Sequence, residues 1–427
     1  MSRGGPGNDA AISCDVLVIG GGAAGVAAAA AAGSAGARVV LLERYGFLGG
    51  LATAGQVGTV CGLYLRDSAQ SEPALVAGGF VQEFTSRLHR AAGSEPLRLE
   101  AGLWVLPFST GAFARVADAL VGESGNVTLV LHATVAEART DGPRLVEVYA
   151  LAWNERLRVR AGAVVDCSGE ATVASLAGAA VEDGVGDQVP ALVFSLENVD
   201  PGLAERGLLE VRRELRRGVE EGRLPAACER LSLVPGTGGD GRLALKLNLP
   251  PPEKCLPSWQ QVTGWERQAR ALVDDLARFL VDNAASCRKA RLGSVAPQLG
   301  IRSGRRIRGR ASLTDQDVLG ARKHPLGVAR GSWPMERWGK SPRPGMVYFD
   351  EGGYYEIPLD CLRPVELDNL LVAGRCFSAE GGAMTSARVI GTALGTGWAA
   401  GTAAAFQALG RPMDEAVETI RQQHERL

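Results

Sequence analysis

No C-x-x-C pair occurs in the 427 residues, although eight cysteines are present, at positions 14, 61, 167, 228, 255, 287, 361 and 376. A zinc cluster and a dithiol reductase both need paired cysteines, and a chain this long does not need a disulfide scaffold. The cysteines are therefore expected to be reduced and packed, with no metal site. Net charge is also scarce: 46 Lys and Arg stand against 47 Asp and Glu. Nothing global draws the protein to nucleic acid or to a membrane. Histidine is rare, with four residues, and no apolar stretch reaches spanning length; the alanine-rich segment 22–36 is interrupted by glycine. The start, MSRGGPGNDAAIS, lacks the apolar core of a signal peptide. Residues 1–12 are expected to be a disordered lead-in, and the cytoplasm is the expected location.

What the chain does have is glycine, 56 residues of it, and its placement is informative. Asp15 to Arg44 reads DVLVIGGGAAGVAAAAAAGSAGARVVLLER. An apolar strand runs into Gly20, Gly22 and Gly25, spaced G-x-G-x-x-G, then into a helix and a second strand ending at Glu43. Gly20 permits the tight turn, Gly22 lets backbone approach a pyrophosphate, and Gly25 lets helix and strand pack closely. The helix N-terminus supplies free N–H groups, and an acid about twenty residues further on accepts from ribose hydroxyls. The spacing predicts a dinucleotide site. PGTGGDG, with Gly236, Gly238 and Gly241, repeats the spacing between two alternating segments with no helix after it, and is expected to be a hairpin turn.

The fold expected is α/β: a Rossmann-type, doubly wound cofactor domain interleaved with a mixed β-sheet substrate or cap domain. The cofactor domain takes 13–182, with an inserted hairpin at 144–160, and returns at 359–411. Residues 183–358 form the second domain, with a loop-dominated cap at 323–353, and 412–427 a C-terminal helix. The basic run IRSGRRIRGR (301–310) alternates as a strand with one solvated face does. Leu370 to Ala373 reads as a buried strand, and 386–409 as one long small-residue helix.

VIGGGAAG with Glu43-Arg44, the GGLAT loop, VVDCSGEATVASLAGA, the basic run and NLLVAGRCFSAE…SARVIGTALGTGWAAGTAAA, in that order, resemble the FAD-dependent oxidoreductases of glutathione-reductase-type fold. The resemblance covers nearly the whole chain and implies FAD. By it, Gly20, Gly22, Ala24 and Gly25 hold the pyrophosphate, and Glu43 with Arg44 the adenosine ribose. Gly49, Gly50 and Thr53 lie along the pyrophosphate and ribityl chain. Val135 touches adenine, with Ser168 and Gly169 bordering the same pocket. Gly374 and Arg375 meet the ribityl phosphate, while Arg388, Val389, Gly391 and Thr392 approach the pyrimidine edge of the flavin. This chain departs from the family's common R-E-S-R-R-I at Arg302-Ser303-Gly304-Arg305-Arg306-Ile307. It also has Gly381-Gly382 where a His-Glu pair is frequent.

Flavin does the electron chemistry, so the protein must orient a donor C–H and supply a base where a proton leaves. Without a second nucleotide fingerprint, the expected reaction moves a hydride from a small organic substrate to flavin N5, with oxygen or another acceptor reoxidising it. Arg302, Arg305, Tyr355 and Arg388 are the candidate catalytic residues. The alternatives are a monooxygenase, a reductase fed by external NAD(P)H, and a flavin-stabilised tRNA-modification or assembly protein, which the near-zero charge disfavours. A homodimer is the expected assembly.

Overall fold

Both faces of the first apolar run are covered, which is why its sequence does not alternate. The structure, a computed structural model, describes residues 10–184, 188–203, 208–250, 258–339 and 344–426. In chain order the main sheet and its first helix comprise β1 (Ala10–Ile19), α1 (Ala23–Ser34), β2 (Val39–Leu42), β3 (Val127–Val130), β4 (Ala133–Asp141), β5 (Arg144–Ala152) and β6 (Glu155–Asp166). The strand order is β3-β2-β1-β6-β5-β4. Pairing is parallel from β3 to β6 and antiparallel through β5 and β4.

Two expectations are corrected here. The lead-in ends earlier than residue 12, because Ala10, Ala11 and Ile12 lie opposite Leu157, Arg158 and Val159 in the sheet; residues 1–9 fall outside the described residues. The second arm of the 144–160 hairpin and the strand at 163–166 are a single strand, β6. Its first half pairs with β5, and its last three residues pair with a returning strand, Leu370–Val372. A change of neighbours halfway along explains the change of pattern. The first half is partly exposed, whereas Ala163 to Asp166 is buried on both faces.

A second sheet has its own core. It comprises β7 (Ala191–Glu197), β8 (Leu231–Leu233), β9 (Arg242–Asn248) and β10 (Arg291–Val295), in the order β8-β9-β7-β10 and antiparallel throughout. Leu243, Leu245 and Leu247 alternate along β9 and pack with α2 (Leu209–Glu220) and α3 (Trp259–Asn283), leaving Lys246 and Asn248 for the other face. PGTGGDG is the turn joining β8 to β9, as its spacing without a following helix indicated; Gly236 and Gly241 have φ of 74° and 72° there.

The basic run is not an alternating strand. Within 301–310 only Arg306–Ile307 are in strand conformation, against Val181–Glu182, and the arginines spread to separate partners. The 323–353 segment is more ordered than a loop cap: Gly327–Gly331 pairs with Tyr355–Pro358, and Val328, Ala329, Tyr355 and Ile357 join the core of the main sheet.

The long helix expected over 386–409 is also divided. A short helix, Gly381–Ala387, stops, and α4 (Ile390–Ala408) begins after Val389, whose backbone is extended. At the break the Gly391 N–H donates to the Cys61 carbonyl at 2.9 Å instead of continuing the preceding helix. Along α4, Gly397 and Gly401 face α1 so closely that a Cβ on either would lie 2.1 or 2.2 Å from the carbonyl oxygens of Ala24 and Ala28. Among the described residues no helix is long and apolar enough to cross a membrane, and no group of three or more metal-ligating side chains occurs.

Candidate active site

A cleft opens where β1 gives way to α1. Its floor is the glycine turn, joined to the next glycine loop: Gly49 N–H donates to Gly21 O at 2.8 Å, and a Cβ on Gly50 would lie 2.9 Å from the Gly22 Cα. Only residues without side chains permit that approach. Gly22 begins α1, and no side chain caps the helix, so its first N–H groups face the cleft. No acidic residue occupies the first turn to compete for them.

Gly20, Gly22, Ala24, Glu43, Arg44, Gly49, Gly50, Val135, Ser168, Gly169, Gly374, Arg375 and Arg388 all line this cleft. Glu43, at the end of β2, accepts from Gly21 N–H at 2.6 Å and Tyr45 N–H at 2.8 Å. Burial pushes its pKa up, and the two amides pull it part of the way back. Arg44 lies over the Tyr45 ring and reaches Gln298 at 3.4 Å. Ser168 turns its hydroxyl inward, accepting from Thr172 N–H at 3.0 Å and so starting the next helix. Arg375 spans the far wall, donating to Glu170 and to the Ile301 carbonyl.

Other expected cofactor residues stand behind the cleft wall. Gly25 packs α1 against the turn. Thr53 donates to Gly50 O at 2.9 Å, bracing the loop from behind. Val389, Gly391 and Thr392 are buried at the start of α4, where Ile390 and Ala393 line the cleft instead. The Thr392 hydroxyl oxygen is buried with no hydrogen-bond partner.

Of the four candidate catalytic residues, the structure brings two together. Arg388 donates to Glu336 at 2.7 Å and Gln188 at 2.6 Å, while its buried Nε has no partner. Arg302 donates to Val189 O at 2.9 Å and Asn248 Oδ1 at 3.0 Å, with its guanidinium 5.4 Å from the Trp338 ring centroid. Glu336 links them electrostatically: burial alone would raise its pKa, but Arg388, Arg302 and Lys246 hold it below the ordinary value. Arg305 is elsewhere, donating to Ser175 Oγ at 2.9 Å.

Tyr355 is a core residue, fully buried, with its hydroxyl 2.8 Å from Ser386 Oγ and its phenol held in the neutral form by burial. Tyr355→Phe is expected to retain full FAD content and to lose about 1 kcal/mol of stability, the net worth of one hydrogen bond. Thermal melts beside the visible flavin spectrum check this; loss of flavin would place the hydroxyl in the site after all.

Gln188, Lys246, Glu336 and Trp338 were missed from sequence. For Lys246 a signal existed: it is the one cation inside the alternating L-A-L-K-L-N of β9, on the face opposite the leucines. The remaining three have no local pattern.

An uncapped helix start, a buried acid ending the second strand and glycine loops joined backbone to backbone define a dinucleotide-binding α/β protein. Residues 15–423 match the FAD dependent oxidoreductase family, and the chain belongs to it. It is an enzyme, and its cofactor is FAD. The donor set fits that group: the amides starting α1 would face a diphosphate, Glu43 would accept from ribose, and the Arg388 Nε, without a partner among the described residues, stands beside the same cleft. Among solved structures, the flavin-dependent brominase Bmp2 superposes with a TM-score of 0.50 at 14% identity, over 96% of this chain and 83% of that one. A geranylgeranyl bacteriochlorophyll reductase-like protein from Thermoplasma acidophilum gives 0.48 at 13%, over 97% and 85%. OxyS anhydrotetracycline hydroxylase from Streptomyces rimosus gives 0.48 at 13%, over 97% and 66%. At such identities the likeness to Bmp2 is one of fold. No curated protein sequence matches the chain.

Proposed function

We propose that this FAD enzyme is a dehydrogenase or oxidase of a small organic substrate, with glutathione-reductase-type architecture. Segments 13–182 and 359–411 hold the cofactor, and 183–358 contributes the substrate side. The observation carrying this reading is the fate of the second glycine motif. Gly236 to Gly241 turn a β-hairpin, so the spacing that marks a nucleotide site in α1 builds none there. The electrons are then expected to come from the substrate and not from a built-in NAD(P)H domain.

Bound FAD would supply the redox chemistry, accepting a hydride from a substrate C–H while the adjoining O–H or N–H proton goes to water, with oxygen or another acceptor taking up the electron pair. The chain's residues bind and orient. Gly20, Gly22 and Gly50 give the diphosphate close access to backbone, and α1 adds its positive end. With the flavin bound, Arg388 would offer its guanidinium to negative charge on the pyrimidine edge. Glu336 fixes Arg388, and Arg302 offers donors to an anionic or carbonyl group.

Anaerobic mixing tests this function. NADPH alone is expected to leave the flavin yellow, whereas one class among alcohols, amines, amino acids and hydroxy acids bleaches it. Rapid bleaching by NADPH without substrate would replace the proposal with a monooxygenase.

A further inference from the structure

Beside the cofactor cleft lies a cavity of about 510 Å³, within the range of small-molecule sites. Glu336 lines the cavity, and its partner Arg388 lines the cleft, so this ion pair is the shared wall. Lys246 and Arg302 line the cavity too.

The charges in this wall do not balance. Lys246, Arg302, Arg388 and Glu336 influence one another electrostatically: three cations and one carboxylate. Glu336 is engaged by Arg388. Among the described residues Arg302 bonds to neutral acceptors, the Val189 carbonyl and Asn248. The Lys246 ammonium has no hydrogen bond among the described residues. Glu229 also lines the cavity, as does Arg216, so this acid does not cancel the excess on Lys246 and Arg302. Lys246 and Arg302 are half-buried, and positive charge partly withdrawn from water without a counter-ion is unfavourable. Its effect is visible in Lys246, whose pKa burial and Arg302 lower to about 8, and in Arg302, lowered to about 10 by burial and Arg388. An entering anion relieves that strain. Trp338, Leu231 and Leu233 line the same space and suit a carbon skeleton.

We propose, resting on the flavin function argued above, that this cavity is the substrate chamber and takes an organic carboxylate. The carboxylate lies between Lys246 and Arg302, and its carbon body lies along Trp338.

The test titrates FAD-loaded protein with benzoate and hexanoate, their amides, and inorganic phosphate, followed by calorimetry and the flavin difference spectrum. Carboxylates are expected to bind at least about tenfold more tightly than the amides, and phosphate weakly. Lys246→Met and Arg302→Met should each weaken benzoate binding by about ten- to a hundredfold while FAD content stays at the wild-type level. Benzoate affinity should be flat between about pH 6 and 8, where the ligand is fully ionised, and fall above it as Lys246 loses its charge. The other groups around it do not titrate in that window: Glu336 is held ionised, while Arg302 and the Cys61 thiol, the latter raised by burial to about 11, change only above it. In Lys246→Met the fall should disappear. Amides binding as tightly as carboxylates, phosphate binding more tightly than either, or wild-type affinity in both variants would overturn the proposal. Those outcomes are read on yellow protein. Protein unable to take up FAD would instead strike at the flavin function itself.

Discussion

Gly25→Ala is expected to leave the purified protein nearly colourless. A Cβ at this position would lie 1.7 Å from the Gly20 carbonyl oxygen and 2.8 Å from the carbonyl carbon. Both atoms are backbone, so no rotamer change relieves the clash, and α1 must move away from β1. Overpacking a core usually costs about 1–3 kcal/mol, and a backbone clash belongs at the upper end or beyond. The larger consequence is positional. Withdrawing α1 shifts the N–H groups that meet the diphosphate, and hydrogen bonds weaken steeply once distance and angle are spoiled. The ratio of flavin to protein absorbance measures the outcome. Gly122→Ala is the control: it lies in a helix, a Cβ there meets nothing within 4 Å, and it should leave flavin content unchanged. A Gly25→Ala protein with full flavin would show that this packing does not set the site.

Arg388→Met is the second large effect. The Arg388 and Glu336 side chains are only 13% and 16% exposed, so removing the arginine leaves a carboxylate in a largely water-free setting. Breaking such a pair typically costs about 3–5 kcal/mol. Arg302 and Lys246 still attract Glu336, which places the expected loss near the low end of that range. The double variant Arg388→Met/Glu336→Gln should recover much of it, because no uncompensated charge remains. Denaturant melts of the two single variants and the double give the coupling directly. If Arg388→Met unfolds at the wild-type midpoint, the pair has no structural role.

The two halves of the site differ in how far sequence discloses them. Gly20, Gly22, Gly25 and Glu43 lie within one strand–helix–strand unit, where spacing alone dictates which backbone atoms meet. Lys246, Arg302, Glu336 and Arg388 come from separate segments of the chain and meet only through tertiary packing, so no local period encodes them. Tyr355 shows a different failure. YYEIP alternates, and the alternation already turned Tyr355 and Ile357 toward one side; both are fully buried, whereas Glu356 is not. For Tyr355 the register implies packing and not chemistry. β6 failed for a third reason: a strand that exchanges neighbours midway carries two patterns, and each suggested its own element.

The glycine seam between α1 and α4 carries a consequence for biogenesis. Gly397 and Gly401 settle onto Ala24 and Ala28 from a segment far along the sequence. During synthesis α1 leaves the ribosome long before α4 does, so its buried alanines lack this cover until α4 has been made. Until then a strongly apolar surface is open to solvent and to other nascent chains. A variant lacking α4 would leave that surface permanently bare, so the strand–helix–strand unit is expected not to mature without it.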